Sequence, residues 1–139
     1  MSEHKSEISD IEFIKMKVFT RKFSSLTSVE YHKQIPWPIE RVFFIASEEL
    51  DERGNHAHKK CHQAILCING QVTIKCFDGE NEVSYNLENF RNLMLVPPGI
   101  WLTINFQPGS SIAVLASENY LEEDYIRNLE DFHVYRRSL

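Results

Sequence analysis

Hydrophobic and polar positions along most of the chain follow the short runs and turn signals that are typical of β-structure. Between residues 14 and 116, segments rich in β-branched and aromatic residues alternate with polar breaks. Nine such segments predict strands: IKMKVF, RVFFIA, NHAH, CHQAILCI, QVTIKCF, EVSYNL, LMLV, WLTINF and SIAVLA.

The breaks between these segments have the residues that tight turns require. Asn69-Gly70 and Asp78-Gly79 each supply a residue that readily adopts positive φ, which two-residue and short hairpins need. Pro97-Pro98-Gly99 and Pro108-Gly109 interrupt the later runs. Two hairpins in succession predict an antiparallel sheet.

Only the C-terminal stretch NYLEEDYIRNLEDFHVY changes its hydrophobic period. Its apolar residues recur every three to four positions, at Leu121, Tyr125, Leu129 and Phe132. The acidic residues at 122–124 fall where the first helical turn would favour negative charge. We therefore predict one helix that ends near His133. Many short strands and one terminal helix predict an all-β protein, a small antiparallel barrel or jelly roll.

Length, charge and cysteine content narrow the class of protein. A chain of 139 residues allows one domain, which we place at residues 11–139 after a polar, disordered arm at 1–10. Fifteen basic against twenty acidic residues give a net charge of −5, which argues against a nucleic-acid or anionic-membrane surface. No apolar span or signal segment is visible, so a cytoplasmic protein is expected. Three cysteines without a C-x-x-C pair predict reduced core residues.

The segment RGNHAHKK contains the most informative chemistry of the sequence. On a strand, His56 and His58 project from one face, and Ala57 projects from the other. The pair could be two ordinary, partly exposed histidines beside a turn. Alternatively, two imidazoles in one environment could bind a metal or pass protons at two positions of one substrate.

The residues that follow have the order of the two-part signature of the cupin jelly roll. Gln63 comes after His58 with four residues between them, Gly70 comes after Gln63 with six residues between them, and Pro97-x-Gly99 follows later. The metal-binding cupins have an acidic residue and a third histidine where this chain has Gln63 and Leu102. An amide is a weak ligand for a divalent cation and an alkyl group is none, so we predict no metal and no cofactor.

Longer runs carry a more specific resemblance. IPWPIERVFFI, RGNHAHKKCHQAILCINGQVTI, VPPGIW and LASENYLEEDYIRNLEDF resemble the bacterial dTDP-4-keto-6-deoxyglucose 3,4-ketoisomerases, which are metal-free cupins of the WxcM-like C-terminal type. The resemblance extends from about residue 14 to about residue 135. It implies deoxysugar biosynthesis for O-antigen lipopolysaccharide. The implied reaction moves a carbonyl from C4 to C3 of a dTDP-linked 4-keto-6-deoxyhexose through an enediol, without a cofactor.

The same resemblance suggests roles for particular residues. His58 is the candidate for proton transfer between carbons and His56 for exchange between oxygens, although the sequence does not fix which histidine does which. The candidates for substrate binding are Arg41, Arg53, Lys60, Gln63, Trp101 and Asn105. A homodimer that exchanges an N-terminal strand is also implied.

The chain departs from the family pattern at apolar positions. Phe43 and Phe44 stand where the family usually has tyrosines, and Leu102 stands where it has a polar residue. These losses of polarity fit altered stereochemistry at C4. They also fit a non-catalytic cupin that binds a dTDP-linked sugar. The retained histidine pair favours the enzyme, because a binding protein has little need for two imidazoles on one face.

Overall fold

The computed structural model describes residues 5–139 and consists of antiparallel strands followed by one C-terminal α-helix. Single turns of 3-10 helix lie at Ile8–Asp10 and Glu122–Asp124. The strands and the helix are β1 (Glu12–Lys15), β2 (Phe19–Thr20), β3 (Ser25–Leu26), β4 (Arg41–Ser47), β5 (Asp51–His58), β6 (Gln63–Asn69), β7 (Gln71–Phe77), β8 (Glu82–Glu88), β9 (Asn92–Val96), β10 (Trp101–Phe106), β11 (Ser110–Ala116), β12 (Tyr125–Ile126) and α1 (Leu129–Arg137).

Two five-stranded sheets form the body of the barrel. The first has the order β1-β9-β6-β11-β4 and the second the order β12-β5-β10-β7-β8, while β2 and β3 form a separate hairpin. The main core contains alternate side chains of both sheets, such as Ile65 and Val114 from the first and Ile74 and Phe106 from the second. The predicted fold class, an antiparallel jelly-roll barrel with one C-terminal helix, is confirmed.

The predicted turn at Asn69-Gly70 connects β6 directly to β7. Gly70 adopts a φ of +77°, and a Cβ atom there would lie 2.3 Å from the Ser110 hydroxyl oxygen. Glycine is therefore required both by the backbone conformation and by the close approach of β11. β6 pairs with β9 and β11, and β7 pairs with β8 and β10, so this turn is not the hairpin that the sequence predicts: it carries the chain from the first sheet to the second.

The outer faces of both sheets are covered by other parts of the chain. Residues between β3 and β4, including Ile35 and Trp37, pack on the outside of the first sheet. On the second sheet, Phe132 of α1 packs against Trp101 and against Phe77, with ring centroids 5.6 and 6.0 Å away. Each sheet is therefore buried on both faces near its centre.

The C-terminal helix begins later than the sequence predicts, and it ends at Arg137 rather than near His133. Instead of a helix from about residue 120, the chain forms the turn Glu122–Asp124, then β12, and only then α1. Tyr125 and Ile126 pair with His58 and Ala57 of β5, and the Asn128 side chain caps α1 by accepting a hydrogen bond from the Asp131 amide at 2.8 Å. The three-to-four spacing of apolar residues between 121 and 126 therefore does not mark the face of a helix.

The N-terminal segment is held against the barrel from Ser6 onward. Ser6 is buried, and its carbonyl accepts a hydrogen bond from Arg136 Nη1 at 2.5 Å. The Ile8 amide donates to Asp78 Oδ2 at 3.0 Å. Of the arm predicted at residues 1–10, residues 1–4 lie outside the described part of the chain, and the remaining ones include the turn Ile8–Asp10.

The three cysteines are free and buried, as predicted. In the described chain, residues 5–139, no helix combines the length and the apolar character needed to span a bilayer.

Candidate active site

A cavity of about 340 Å³ opens between the two sheets at one end of the barrel. Its apolar wall is formed by Phe43, Phe44, Ile45, Ile65, Leu102, Ile104 and Val114. Its polar side chains are Arg53, His56, Gln63, Tyr125 and Arg127. The cavity thus combines an apolar interior with groups that can exchange protons or bind anions, as small-molecule sites commonly do.

A β-bulge in β5 directs the two histidines. The register against β10 shifts between Leu102 and Thr103, and Gly54 and Asn55 both have positive φ at this point. A Cβ atom on Gly54 would lie 2.9 Å from the Leu102 carbonyl oxygen, so the close approach of the strands requires glycine. After the bulge the strand alternates regularly, which places His56 and His58 on one face and Ala57 on the other.

The two imidazole rings are close neighbours. Their centroids are 5.2 Å apart and the rings meet edge to face at 88°. His56 lies in the cavity wall, and His58, which is only 4% exposed, lies behind it. The sequence prediction that these histidines share one environment therefore agrees with the structure, while their catalytic roles stay a prediction.

Asp124 fixes the tautomer of His58. Its Oδ2 atom lies 2.8 Å from His58 Nδ1, and its Oδ1 atom accepts a hydrogen bond from the Lys60 amide at 2.6 Å. A carboxylate can only accept, so His58 carries its proton on Nδ1 and has a lone pair on Nε2. The Gln63 amide approaches that Nε2 atom at 3.3 Å.

His56 is held in the same tautomer by its own strand. Its Nδ1 atom lies 3.1 Å from the Gly54 carbonyl oxygen, which can only accept. Its proton therefore also lies on Nδ1, leaving the lone pair of Nε2 for another partner. Both histidines thus have the form that a general base requires.

Burial keeps both imidazoles neutral near pH 7. Burial and, to a smaller extent, the neighbouring His58 together lower the pKa of His56 from 6.5 to about 4. Burial also lowers the pKa of His58, against the opposing effect of the Asp124 hydrogen bond and charge. Neutral histidines can accept protons, and two imidazolium ions this close together would repel each other.

Arg41 lies next to the cavity. Its Nη2 atom is 3.4 Å from the Tyr125 hydroxyl, and its guanidinium stacks over the rings of Phe43 and Tyr120 at 5.0 and 5.5 Å. Arg53 and Gln63 line the cavity directly. The structure therefore brings three of the predicted substrate-binding residues to one place.

Three other predicted substrate-binding residues lie outside the cavity. Trp101 and Asn105 alternate with Leu102 and Ile104 along β10, so they belong to the opposite face of the second sheet. Trp101 packs beneath α1, and Asn105 is exposed. Lys60 contacts Asp124 through its backbone amide and is exposed. Strand alternation therefore places Trp101 and Asn105 outside the cavity, and Lys60 lies beyond the end of β5.

Three residues of the site were not predicted from the sequence: Asp124, Tyr125 and Arg127. The apolar spacing predicts all three in the first half of a helix, where Asp124 would supply only favourable negative charge in the first turn. The Tyr-Ile pair after Asp124 has strand propensity and is the signal that could have revealed β12. With the strand recognised, pairing against β5 would have brought all three residues to the histidines.

Arg127 belongs to a charged network at the mouth of the cavity. Its Nε and Nη2 atoms donate to Glu122 at 2.6 and 2.9 Å, and its guanidinium lies 4.3 Å from the centroid of the Tyr125 ring. Tyr120 donates a hydrogen bond to Glu122 as well. The Arg127 hydrogen bond, assisted by Tyr120, lowers the pKa of Glu122 to about 2.

Within residues 5–139, one group of three potential metal ligands lies close together. It consists of His58, Cys61 and Asp124, all buried. The His58–Asp124 contact has the length of a hydrogen bond, and burial raises the pKa of Cys61, which disfavours the thiolate that binds metals. In the cavity itself, Gln63 and Leu102 accompany His56. The donor set does not favour a cation, and independence from metals stays a prediction.

Comparisons with known proteins identify the family of this chain. The family model described as FdtA: WxcM-like, C-terminal, matches residues 9–137. The TDP-4-oxo-6-deoxy-alpha-D-glucose-3,4-oxoisomerase of Aneurinibacillus thermoaerophilus is 36% identical over 113 residues, which cover 80% of this chain and 81% of the relative.

Solved structures have the same fold. The sugar 3,4-ketoisomerase QdtA of Thermoanaerobacterium thermosaccharolyticum, in complex with TDP, is 33% identical with a TM-score of 0.87, covering 95% of this chain and 98% of QdtA. A histidine-to-asparagine variant of QdtA, in complex with TDP-4-keto-6-deoxyglucose, is 32% identical with a TM-score of 0.86, covering 95% of this chain and 97% of that one. On the match over residues 9–137, the chain belongs to the FdtA family, WxcM-like, C-terminal.

Proposed function

We propose that this protein is a nucleotide-sugar 3,4-ketoisomerase, which moves the carbonyl of a TDP-4-keto-6-deoxyhexose from C4 to C3. The relatives named above are 3,4-ketoisomerases, and one of them was solved with TDP-4-keto-6-deoxyglucose. The observation that carries the proposal is the pair of neighbouring neutral histidines, His56 in the cavity wall and His58 directly behind it, each with its Nδ1 proton held by an acceptor.

The first step is removal of the proton at C3 of the sugar. His58 Nε2 takes this proton, the C–H electron pair forms the C3=C4 double bond, and the carbonyl electrons move onto O4. Asp124 stabilises the imidazolium that forms, because its carboxylate lies 2.8 Å from Nδ1. For His58 to reach the substrate, the long hydrogen bond from Gln63 gives way to the sugar.

The second step returns the proton to C4. His56 moves the proton of O3 to O4, the C3 carbonyl forms, and the double-bond electrons take the proton from His58 at C4. No proton is gained or lost overall, and one base on one face serves both carbons. His56 suits the exchange between oxygens because it lies in the cavity wall and is neutral at pH 7.

Basic residues around the cavity suit the diphosphate of a sugar nucleotide. Arg53 and Arg127 line the cavity, and Arg41 adjoins it through Tyr125. Guanidinium groups bind phosphate oxygens in pairs, which is stronger than a single point charge. Gln63 can hydrogen-bond a sugar hydroxyl from the same wall.

We also propose that the protein is a homodimer. β4 is the edge strand of the first sheet, and Phe44 on it is 69% exposed. The hairpin of β2 and β3 exposes Phe19 and Leu26 on its strands and Phe23 at 91%. A second copy would cover both the open backbone edge and these apolar side chains. The cytoplasmic location expected from the sequence stays a prediction.

A second candidate function is binding of a TDP-linked sugar without turnover. The observation that favours it is the apolar wall, in which Phe43, Phe44 and Leu102 offer no hydrogen bonds to a sugar. Retention of both histidines, with Asp124 behind one of them, favours the enzyme.

The experiment that separates the two follows TDP-4-keto-6-deoxyglucose by proton NMR in the presence of the protein. We expect the 3-keto isomer to form, and the His56→Asn and His58→Asn variants to be slower by roughly 100-fold or more. His62→Asn is the matched control, because His62 is also half-buried with a pKa lowered by burial but lies outside the cavity. Tight binding of the sugar without isomer formation would support the binding protein instead.

A further inference from the structure

Tyr125 lies between the catalytic candidates and Arg41. Its ring centroid is 5.0 Å from that of His56 and 4.3 Å from that of His58. Its backbone pairs with His58 across β12 and β5, so the ring position is fixed by the sheet. The side chain lines the cavity.

Arg41 determines which way the phenol proton can point. Arg41 Nη2 lies 3.4 Å from the Tyr125 oxygen, and a guanidinium has donors only. The Tyr125 oxygen therefore accepts from Arg41, and its own O–H remains available to a second acceptor. Stacking against Phe43 and Tyr120 holds the guanidinium in place for this contact.

The chemistry of the proposed reaction requires such a donor. As the C3 proton leaves, negative charge develops on O4, and an imidazole is too weak a base unless that charge is stabilised. Among the cavity-lining residues in the described chain, Tyr125 carries the only hydroxyl group. The positions where the family resemblance led us to expect tyrosines are occupied by Phe43 and Phe44.

We propose that Tyr125 is a catalytic residue whose hydroxyl donates a hydrogen bond to the C4 carbonyl oxygen of the substrate. This assignment rests on the proposed ketoisomerase function. The phenol keeps its proton throughout: it stabilises the charge on O4 while His58 holds the carbon-bound proton and His56 carries the O3 proton to O4. Tyr125 thereby supplies the hydroxyl that Phe43 and Phe44 lack.

The first test is the Tyr125→Phe variant, which keeps the ring against both histidines and removes only the hydroxyl. We expect kcat for TDP-4-keto-6-deoxyglucose to fall by about 100-fold, as for loss of one oxyanion donor, with KM changed by less than about threefold. Tyr85→Phe is the matched control, because Tyr85 is a half-buried tyrosine of β8 that stacks against Phe13 and does not line the cavity. That variant should keep kcat within about threefold of the parent.

A second test measures carbonyl polarisation without turnover. Substrate labelled with carbon-13 at C4 is bound to the His58→Asn variant, and the chemical shift of the ketone is read by NMR. We expect a downfield shift relative to free ketone, and its loss when Tyr125→Phe is added.

The outcomes separate this inference from the proposed function. A parent protein that forms no 3-keto isomer would contradict the ketoisomerase function itself. If the parent protein is active and the kcat of Tyr125→Phe is not reduced, only the role of Tyr125 is overturned. An unshifted ketone signal in the His58→Asn variant, in which Tyr125 is intact, would overturn it without any substitution of Tyr125.

Discussion

Replacement of Asp124 by Asn tests how the protein fixes the proton on His58. The carboxylate accepts two hydrogen bonds, from His58 Nδ1 at 2.8 Å and from the Lys60 amide at 2.6 Å. An amide of the same size has one acceptor oxygen and one donor NH₂ group. The Lys60 amide proton cannot move, so the amide oxygen stays with Lys60 and the NH₂ group faces His58. His58 must then carry its proton on Nε2, where the substrate needs a lone pair.

The cost of restoring the productive tautomer sets the expected loss of activity. A buried donor without an acceptor costs about 1–3 kcal/mol, and a lost charge-assisted hydrogen bond costs about 1.5–3 kcal/mol. Together these give roughly 2.5–6 kcal/mol, or a fall in kcat of about 10²- to 10⁴-fold. Because Asp124 also raises the pKa of His58, the pKa of that histidine should be still lower in the variant.

The assay follows conversion of TDP-4-keto-6-deoxyglucose by NMR for the parent, Asp124→Asn and Glu123→Gln. Glu123→Gln is the control, since it removes a carboxylate from the same turn at an exposed position. Circular dichroism and binding of TDP should be similar for all three proteins. If Asp124→Asn kept kcat within about threefold of the parent while folded, the tautomer argument would be refuted.

Three further predictions concern acid stability, metals and assembly. The pKa of His56 is about 6.5 in the unfolded chain and about 4 in the folded one, so the unfolded chain binds more protons between these pH values. The free energy of unfolding should therefore fall by about 3 kcal/mol as the pH drops from about 6.5 to 4. Urea titrations should show a smaller fall for His56→Asn, and an equal fall would exclude His56 as the source. Extensive chelation should leave isomerase activity unchanged. If chelation abolished the activity and zinc, iron or manganese restored it, the prediction that no metal is needed would be wrong. Light scattering at micromolar concentration should give about twice the chain mass of 16.3 kDa, whereas 16.3 kDa itself would exclude the dimer.

The fold was largely predictable because its signals are local. The turn at Asp78-Gly79 joins β7 to β8, and these neighbouring strands form the predicted antiparallel hairpin. The turn at Asn69-Gly70 is also present, but it joins strands of two different sheets, which a local signal does not reveal. The helix boundary was not predictable in this way. Residues 121–129 have a spacing compatible with a helix, but pairing of β12 with β5, which is distant in sequence, determines their structure. The pairing of β12 with β5 therefore outweighs the helical spacing of the apolar residues in this segment.

The candidate site was predictable to the extent that it lies on one strand. His56 and His58 share a face because they are two residues apart, and no long-range information is needed. Asp124 reaches His58 across 66 residues of sequence, so no spacing rule could connect them. For Trp101 and Asn105, the predicted role in substrate binding is not matched by their position, because alternation along β10 places them outside the cavity.

The measurement that tests the central claim most directly is incubation of the protein with TDP-4-keto-6-deoxyglucose in D₂O. If histidines transfer the proton between carbons, the 3-keto isomer should form with solvent deuterium at C4 in part of the product, since an imidazolium proton can exchange before it is returned. His58→Asn should abolish both isomer and deuterium uptake, and His62→Asn should change neither. Tight binding of the sugar nucleotide by the parent protein, with neither isomer nor deuterium uptake, would contradict the account.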